Sequence, residues 1–449
     1  MTSRTLLLRF GLSFAGSIAL FACGSSGGTP DAAPAVDANH SKPDAGVDAS
    51  AKRDAASEAS DAKKDTMSAA DAADDADAGD AGIDVTDAPF DATGFAPIDG
   101  GSAVITQVVP ETWTWVPFPE SKCRDGSTTG IGVNFNPASQ NLVIYMEGGG
   151  ACFNFETCVG NPSSFGAADF PMRFPSASDG GTPESGNGIL DRTNAANPVA
   201  DWNFIYVPYC TGDIHAGNNP AGTVLDVTGP QMFVGYQNVN LFLERIVPTF
   251  ATAKQVLLTG VSGGGFGAAA NYAHVQRAFG AVPVDMLDDS GPFMEDPYLP
   301  LCLQNEVRTL WGLDSTVGAD CEGQCNDPGT FFVDLARHIS TKYPARTFGL
   351  MDSVDDGTIS EFFGFGAADC TSFVQESATT FGDGLNDIRT KLAAEHNLGT
   401  FYFPGTDHTS LGDDSFYQRD TTSLDGGAGV LLTSWVGSLV HGTTYNAGP

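Results

Sequence analysis

Ser262 stands in Gly260-Val261-Ser262-Gly263-Gly264, a Gly-x-Ser-x-Gly pentapeptide. The run Gln255 to Thr259 before it is short and apolar, as a buried strand is, and Gly267-Ala268-Ala269-Ala270-Asn271-Tyr272 after it reads as a helix. A strand, a tight turn and a helix in that order make a nucleophile elbow, which lifts the serine hydroxyl clear of a sheet. Small neighbours are required because the turn's backbone packs closely. The hydroxyl then lies near the positive end of the following helix. The same five residues also suit an ordinary Gly-rich connection; the strand and helix on either side favour the elbow.

A serine nucleophile requires a base, and the base requires a group to orient it. Seven histidines compete. His40 lies in a low-complexity stretch and His441 in a C-terminal helix, while His274, His338 and His396 fall in helical stretches that suit surface or core-edge side chains. His215 and His408 lie at strand ends, and His408, late in the chain in a Gly/Pro loop, is favoured over His215. The acid is expected between serine and histidine. Asp352, Asp355 and Asp356 all follow the penultimate core strand, and Asp356, opening Gly357-Thr358-Ile359-Ser360, is the best placed. Acyl transfer also needs donors for an oxyanion. Gly148-Gly149-Gly150 follows an early strand, so the expected donors are the amides of Gly149 or Gly150 with that of Gly263. A plain turn rarely needs three glycines.

The elements that must carry these groups alternate. Asn141 to Met146, Asn203 to Val207, Val284 to Asp288, Thr347 to Met351 and Thr400 to Phe403 are apolar runs, the mark of strands buried on both faces. Between them lie an amphipathic helix carrying Phe233, Leu241, Leu243, Ile246, Val247 and Phe250, and a Cys-rich helical insertion over roughly 295–345. Leu431 to Val440 makes a closing helix. Val104 to Val109 and Thr112 to Val116 alternate and predict an N-terminal hairpin or edge strands. The fold class is therefore α/β with a mostly parallel sheet, and every polar cluster named above falls at the carboxyl end of a strand, where such sheets place their sites.

Only 101–449 belongs to that domain. Residues 1–22 have the layout of a signal peptide, with Arg4 and Arg9 ahead of an apolar run that ends in Leu20-Phe21-Ala22-Cys23. Cys23 after a small residue is similar to a bacterial lipoprotein processing site, so lipidation of Cys23 is expected; an ordinary secretory leader is the alternative. Residues 23–100 are rich in Ala and Asp and nearly free of aromatics, a composition that cannot offset its chain entropy and reads as a disordered, self-repelling tether. It carries a good share of the net charge of −34, which therefore says little about the site. An exported, lipid-anchored enzyme at the bacterial cell envelope, at the outer membrane or cell surface, or a secreted one, is the expected location; nucleic acid is not an expected partner, and a monomer is expected. The remaining eight cysteines, Cys123, Cys152, Cys158, Cys210, Cys302, Cys321, Cys325 and Cys370, are an even number in an exported chain, which predicts disulfides rather than a metal site.

Taken together, Tyr145 to Cys152, Tyr209-Cys210-Thr211-Gly212-Asp213-Ile214-His215-Ala216-Gly217, the elbow at Ser262, Asp289-Ser290-Gly291, Asp356 and His408 resemble the pectin acetylesterases, the carbohydrate-esterase group that includes the Notum carboxylesterases. The resemblance spans nearly all of 101–449. It implies an α/β-hydrolase-like fold and a serine esterase with Ser262 as nucleophile, His408 as base and Asp356 as orienting acid, without metal or cofactor. It also implies the pairs Cys123–Cys210, Cys152–Cys158, Cys302–Cys370 and Cys321–Cys325, which sequence alone does not select from 105 pairings. Two positions depart from the family pattern. Gly150 and Ala151 stand where a bulky residue is usual, and Gly263 where alanine is common. The expected reaction is hydrolysis of an acetyl or short acyl ester on a polysaccharide such as acetylated pectin, falling off below roughly pH 6 as a histidine base is protonated. An ester of lipid-like character and a non-catalytic binding module are the alternatives. The acidic chain offers no attraction to anionic pectin, an objection limited by screening over about 8 Å at physiological salt.

Overall fold

Residues 104–106, 108–174, 188–422 and 429–448 are described by the computed structural model. The expected leader, Cys23 and the tether lie outside the described residues.

Eight strands form the main sheet: β1 (Thr114–Phe118), β2 (Thr129–Asn134), β3 (Asn141–Met146), β4 (Asn203–Val207), β7 (Gln255–Val261), β8 (Val284–Asp289), β9 (Phe348–Ser353) and β10 (Leu398–Phe403). Their order is β1-β2-β4-β3-β7-β8-β9-β10. β1 and β2 run antiparallel at one edge, β2 meets β4 antiparallel, and every later neighbour is parallel. A short separate ribbon pairs β5 (Asn219–Gly222) with β6 (Gln231–Phe233). The helices are α1 (Phe155–Gly160), α2 (Phe170–Arg173), α3 (Gly235–Thr249), α4 (Gly263–Phe279), α5 (Leu301–Trp311), α6 (Val317–Asp320), α7 (Phe331–Lys342), α8 (Gly357–Gly364), α9 (Ala378–Lys391) and α10 (Leu432–Val440).

The central strands are apolar throughout because both faces are covered, and their period of two sorts side chains between two cores. Leu142, Ile144, Val256, Leu258 and Met286 pack toward α3 and α4. Val143, Leu257 and Leu287 pack toward Trp435, Val436 and Leu439 of α10. Each fully buried aliphatic side chain contributes about 1.5–3 kcal/mol, so the sheet that carries the site is the best-anchored part of the fold.

Three expectations are corrected. Val104 to Val109 supplies no strand among the described residues; the Ile105 amide donates to the Thr249 hydroxyl at the end of α3 and its side chain enters the core. The edge hairpin is instead β1 with β2, whose glycines hide the alternation. Phe233 ends β6, and α3 begins two residues later.

Four disulfides tie the loops: Cys123–Cys210, Cys152–Cys158, Cys302–Cys370 and Cys321–Cys325. Among the described residues there is no cluster of metal-ligating side chains, and no helix is long and apolar enough to cross a membrane.

Candidate active site

β7 delivers Ser262 into a backbone conformation that L-residues rarely adopt, φ 57° and ψ −126°. Such a conformation costs about 1–3 kcal/mol and persists only where its surroundings enforce it. The Ser262 amide donates to the Asp289 carbonyl at 2.7 Å, and the Phe266 amide donates to the Ser262 carbonyl as α4 begins. The turn can be this tight only with glycine at 264: a Cβ there would lie 2.1 Å from the Met146 carbonyl oxygen of β3.

His408 follows β10, and Asp356 begins α8 just beyond β9. His408 Nδ1 and Asp356 Oδ2 are 2.7 Å apart. Asp356 is fully buried, and its other oxygen caps α8 by accepting the amides of Thr358 and Ile359 at 2.8 and 2.9 Å. One carboxylate thus fixes both a helix and an imidazole. Of the three acids considered from the sequence, His408 bonds to Asp356. Asp352 is buried beside it; burial first, and then the Asp356 charge, push the Asp352 carboxyl well above the usual carboxylate range. Asp355 makes no bond to the imidazole.

Ser262 and His408 line one polar cleft of about 530 Å³, together with Gly148, Gly149, Gly150, Tyr145, Glu147, Arg173 and Tyr206. On its other side Ser262 borders a second cavity of about 70 Å³ whose walls are almost wholly apolar. Phe153, Phe266, Leu299, Leu303, Val307, Trp311, Phe332 and Phe362 are among them. The inserted helices α5 and α7 supply four of these residues, so the Cys-rich insertion is a wall of the site.

The glycine loop is aimed by a buried web. Asn161 Nδ2 donates to the Gly149 carbonyl at 2.8 Å, which turns the trans peptide's amide, that of Gly150, the opposite way. Gly150 has φ +78°, open to glycine and strained for other residues. Among the described residues the amides of Gly149 and Gly150 have no hydrogen-bond partner. The Gly263 amide, at the first position of α4, has no intrahelical acceptor. Three unpaired donors therefore sit around the serine, the arrangement that can hold a developing oxyanion.

His215, the rival base, does not line either cavity. Burial lowers its pKa to about 4, so the ring is neutral at ordinary pH, and Nε2 donates to the Glu147 carbonyl at 2.9 Å. Its own carbonyl accepts from Asn271 at 3.0 Å. Glu147 continues the web: one carboxylate oxygen accepts the Tyr209 amide at 3.0 Å and the other meets Arg173 at 2.8 Å. His215 and Glu147 thus brace the glycine loop from below. His274 and His338 lie in α4 and α7, His396 in a turn past α9 and His441 at the end of α10, all apart from the cleft, and His40 lies outside the described residues.

The sequence missed the apolar cavity. Its walls come from six separate segments between residues 150 and 363, none apolar enough alone to mark a pocket.

Comparison with known proteins places the chain in a family. Residues 113–380, more than half of the chain, match the Pectinacetylesterase family. Palmitoleoyl-protein carboxylesterase notum2 of Xenopus laevis is 31% identical over 181 residues, 38% of this chain and 35% of that protein. Palmitoleoyl-protein carboxylesterase NOTUM of Homo sapiens is 29% identical over 182 residues, 39% of this chain and 34% of that one. The match spans about a third of the length of these curated relatives. The solved structure of the Wnt deacylase Notum from Drosophila superposes with a TM-score of 0.52 at 18% identity, covering 74% of this chain and 93% of that one, a likeness of fold. With the match covering 113–380, the chain belongs to the pectinacetylesterase family, a family of carboxylic ester hydrolases.

Proposed function

We propose that the protein is a serine carboxylesterase that removes a short acyl group from a polar, hydroxyl-rich alcohol such as an acetylated polysaccharide. The reading rests on one observation: Ser262 stands between a small apolar cavity and a larger polar cleft that also holds His408. Neutral His408 takes the proton of Ser262, whose oxygen attacks the ester carbonyl. The amides of Gly263 and of Gly149 or Gly150 receive the oxyanion. The histidine then protonates the leaving alcohol in the polar cleft, and a water activated by the same imidazole releases the acid.

The apolar cavity is the acyl side. One water needs about 10–15 Å³, so about 70 Å³ corresponds to roughly five water-sized spheres, room for a short alkyl chain. Its almost wholly apolar lining also supports a second reading, an acyl group longer than acetyl on a protein or lipid alcohol. The leader and Cys23 support export with a lipid anchor and a long tether, which would hold the enzyme off a membrane surface.

The test pairs Ser262→Ala with a series of p-nitrophenyl esters from acetyl to palmitoyl, followed by acetate release from acetylated pectin and xylan. Loss of at least 10³-fold in kcat in the folded variant and a rate maximum at short chains are expected. Full activity in folded Ser262→Ala refutes the serine mechanism. A maximum at long chains selects the second reading.

A further inference from the structure

We propose that Asp289 and Ser290 are positioning residues that set His408 in register with Ser262. The proposal rests on the ester-hydrolase reading above. The pair ends β8, between the strand that delivers the serine and the strand that leads to the acid. Its backbone touches both: the Asp289 carbonyl accepts the Ser262 amide at 2.7 Å, and the Ser290 amide donates to the Met351 carbonyl of β9 at 2.8 Å.

The side chains take hold of the third loop. Asp289 Oδ2 accepts the amides of Ser410 and Leu411, each at 2.7 Å. Ser290 Oγ accepts the Thr409 amide at 3.3 Å and donates its own proton to Asp289 Oδ1 at 3.0 Å. The three amides that follow His408 therefore all end on one dipeptide. The segment has no helix or strand to fix it otherwise. Thr409 at φ 66° and Ser290 at φ 61° are both strained, so the contact is over-determined on both sides.

Both residues are wholly buried, and neither lines the apolar cavity or the polar cleft. They act through the histidine loop and do not touch substrate. A buried carboxylate is tolerated only when its acceptors are filled, and three donors fill this one. Burial raises its pKa to about 6, which leaves it ionised and able to hold two amides at neutral pH.

The test uses the full chain with Asp289→Asn and Ser290→Ala, assayed on p-nitrophenyl acetate and normalised to the folded fraction by near-ultraviolet circular dichroism. Asparagine keeps the shape and removes the charge. Alanine at 290 removes the Thr409 acceptor and the donor to Asp289. Misplacement of a reacting group by about 1 Å costs roughly 10²-fold, so kcat is expected to fall at least 10-fold with KM within about two-fold. A purely structural role would lower the melting temperature and leave kcat of the folded fraction intact. Folded variants with kcat within two-fold of the parent, or with the loss confined to KM, overturn the proposal; if Asp289→Asn does not fold, Ser290→Ala alone decides. Ser262→Ala separates the two claims. Full activity in that variant removes the underlying reading, whereas its inactivity beside active Asp289→Asn and Ser290→Ala removes only the positioning role.

Discussion

Replacing Gly263 by alanine is the most discriminating change at the site, because the added Cβ would press on the backbone of the glycine loop. A Cβ at 263 would lie 2.8 Å from the Gly150 carbonyl oxygen and 3.3 Å from Tyr209 Cε1. The Gly150 contact is to backbone and cannot be relieved by rotating a side chain. Restoring an ordinary 3.4 Å contact from 2.8 Å requires the glycine loop to retreat by about 0.6 Å. Since about 1 Å of misplacement costs roughly 10²-fold, a shift of this size predicts about a 10-fold loss of kcat, or about 1.4 kcal/mol of barrier. Complete loss of one oxyanion donor, roughly 10²–10³-fold, is the ceiling. Stability moves the other way, since alanine is favoured over glycine in a helix by about 1 kcal/mol, which offsets part of the steric strain. The assay is kcat and KM on p-nitrophenyl acetate beside the melting temperature. A folded Gly263→Ala enzyme with parental kcat would refute the claim that the Gly150 loop and the elbow are packed to contact around the oxyanion.

Asp356→Asn is expected to lower kcat by about 10³–10⁴-fold with α8 intact, because asparagine still caps the helix while it no longer selects the imidazole tautomer; circular dichroism and steady-state kinetics check both halves. Asp352→Asn, by contrast, replaces a carboxyl whose charged form burial disfavours and which makes no bond to the imidazole, and it is expected to keep kcat within about three-fold; a loss approaching that of Asp356→Asn would place the functional charge on the wrong residue. Burial raises Asp213 and Asp289 to about 6 in the folded protein, above the ordinary 3.8, so their protonation favours the fold. That contribution is full below pH 3.8 and lost as pH rises through about 6, while burial of neutral His215, its pKa lowered to about 4, acts in the opposite sense over the same window; the difference in unfolding free energy in urea between the protein and Asp213→Asn should therefore shift in favour of the protein by on the order of 1 kcal/mol on going from pH 8 to pH 5, and a flat or opposite shift refutes it.

Much of this site was readable from sequence because its demands are local. A tight turn at Ser262 needs contiguous small residues, and a covered sheet needs unbroken apolar strands; both leave their mark within ten positions. The glycine loop shows for the same reason. Choosing among Asp352, Asp355 and Asp356 was not local. Asp352 still belongs to β9 and is buried within the sheet's end, whereas Asp356 stands at the first turn of α8, where its carboxylate can serve a cap and an imidazole together. β2 escaped because glycines break its alternation, and Phe233 was misplaced because a short ribbon interrupts the apolar pattern before α3. The apolar cavity is a property of packing alone, since Phe153, Leu303, Phe332 and Phe362 meet across more than half the domain.

The same non-locality accounts for the acids gathered under the histidine. Asp288, Asp289, Asp352 and Asp356 end adjacent strands or begin the next loop, so the parallel sheet brings four carboxyls to one edge. Four buried charges there would repel one another severely. Burial disfavours the charged form of two of them, pushing the Asp288 and Asp352 carboxyls well above the usual carboxylate range. Each carboxylate kept has donors of its own: two loop amides and a hydroxyl for Asp289, two helix amides and the imidazole for Asp356. In the proposed mechanism a proton taken up by His408 would therefore be met by the directly bonded Asp356, with Asp289 clamping the loop behind it.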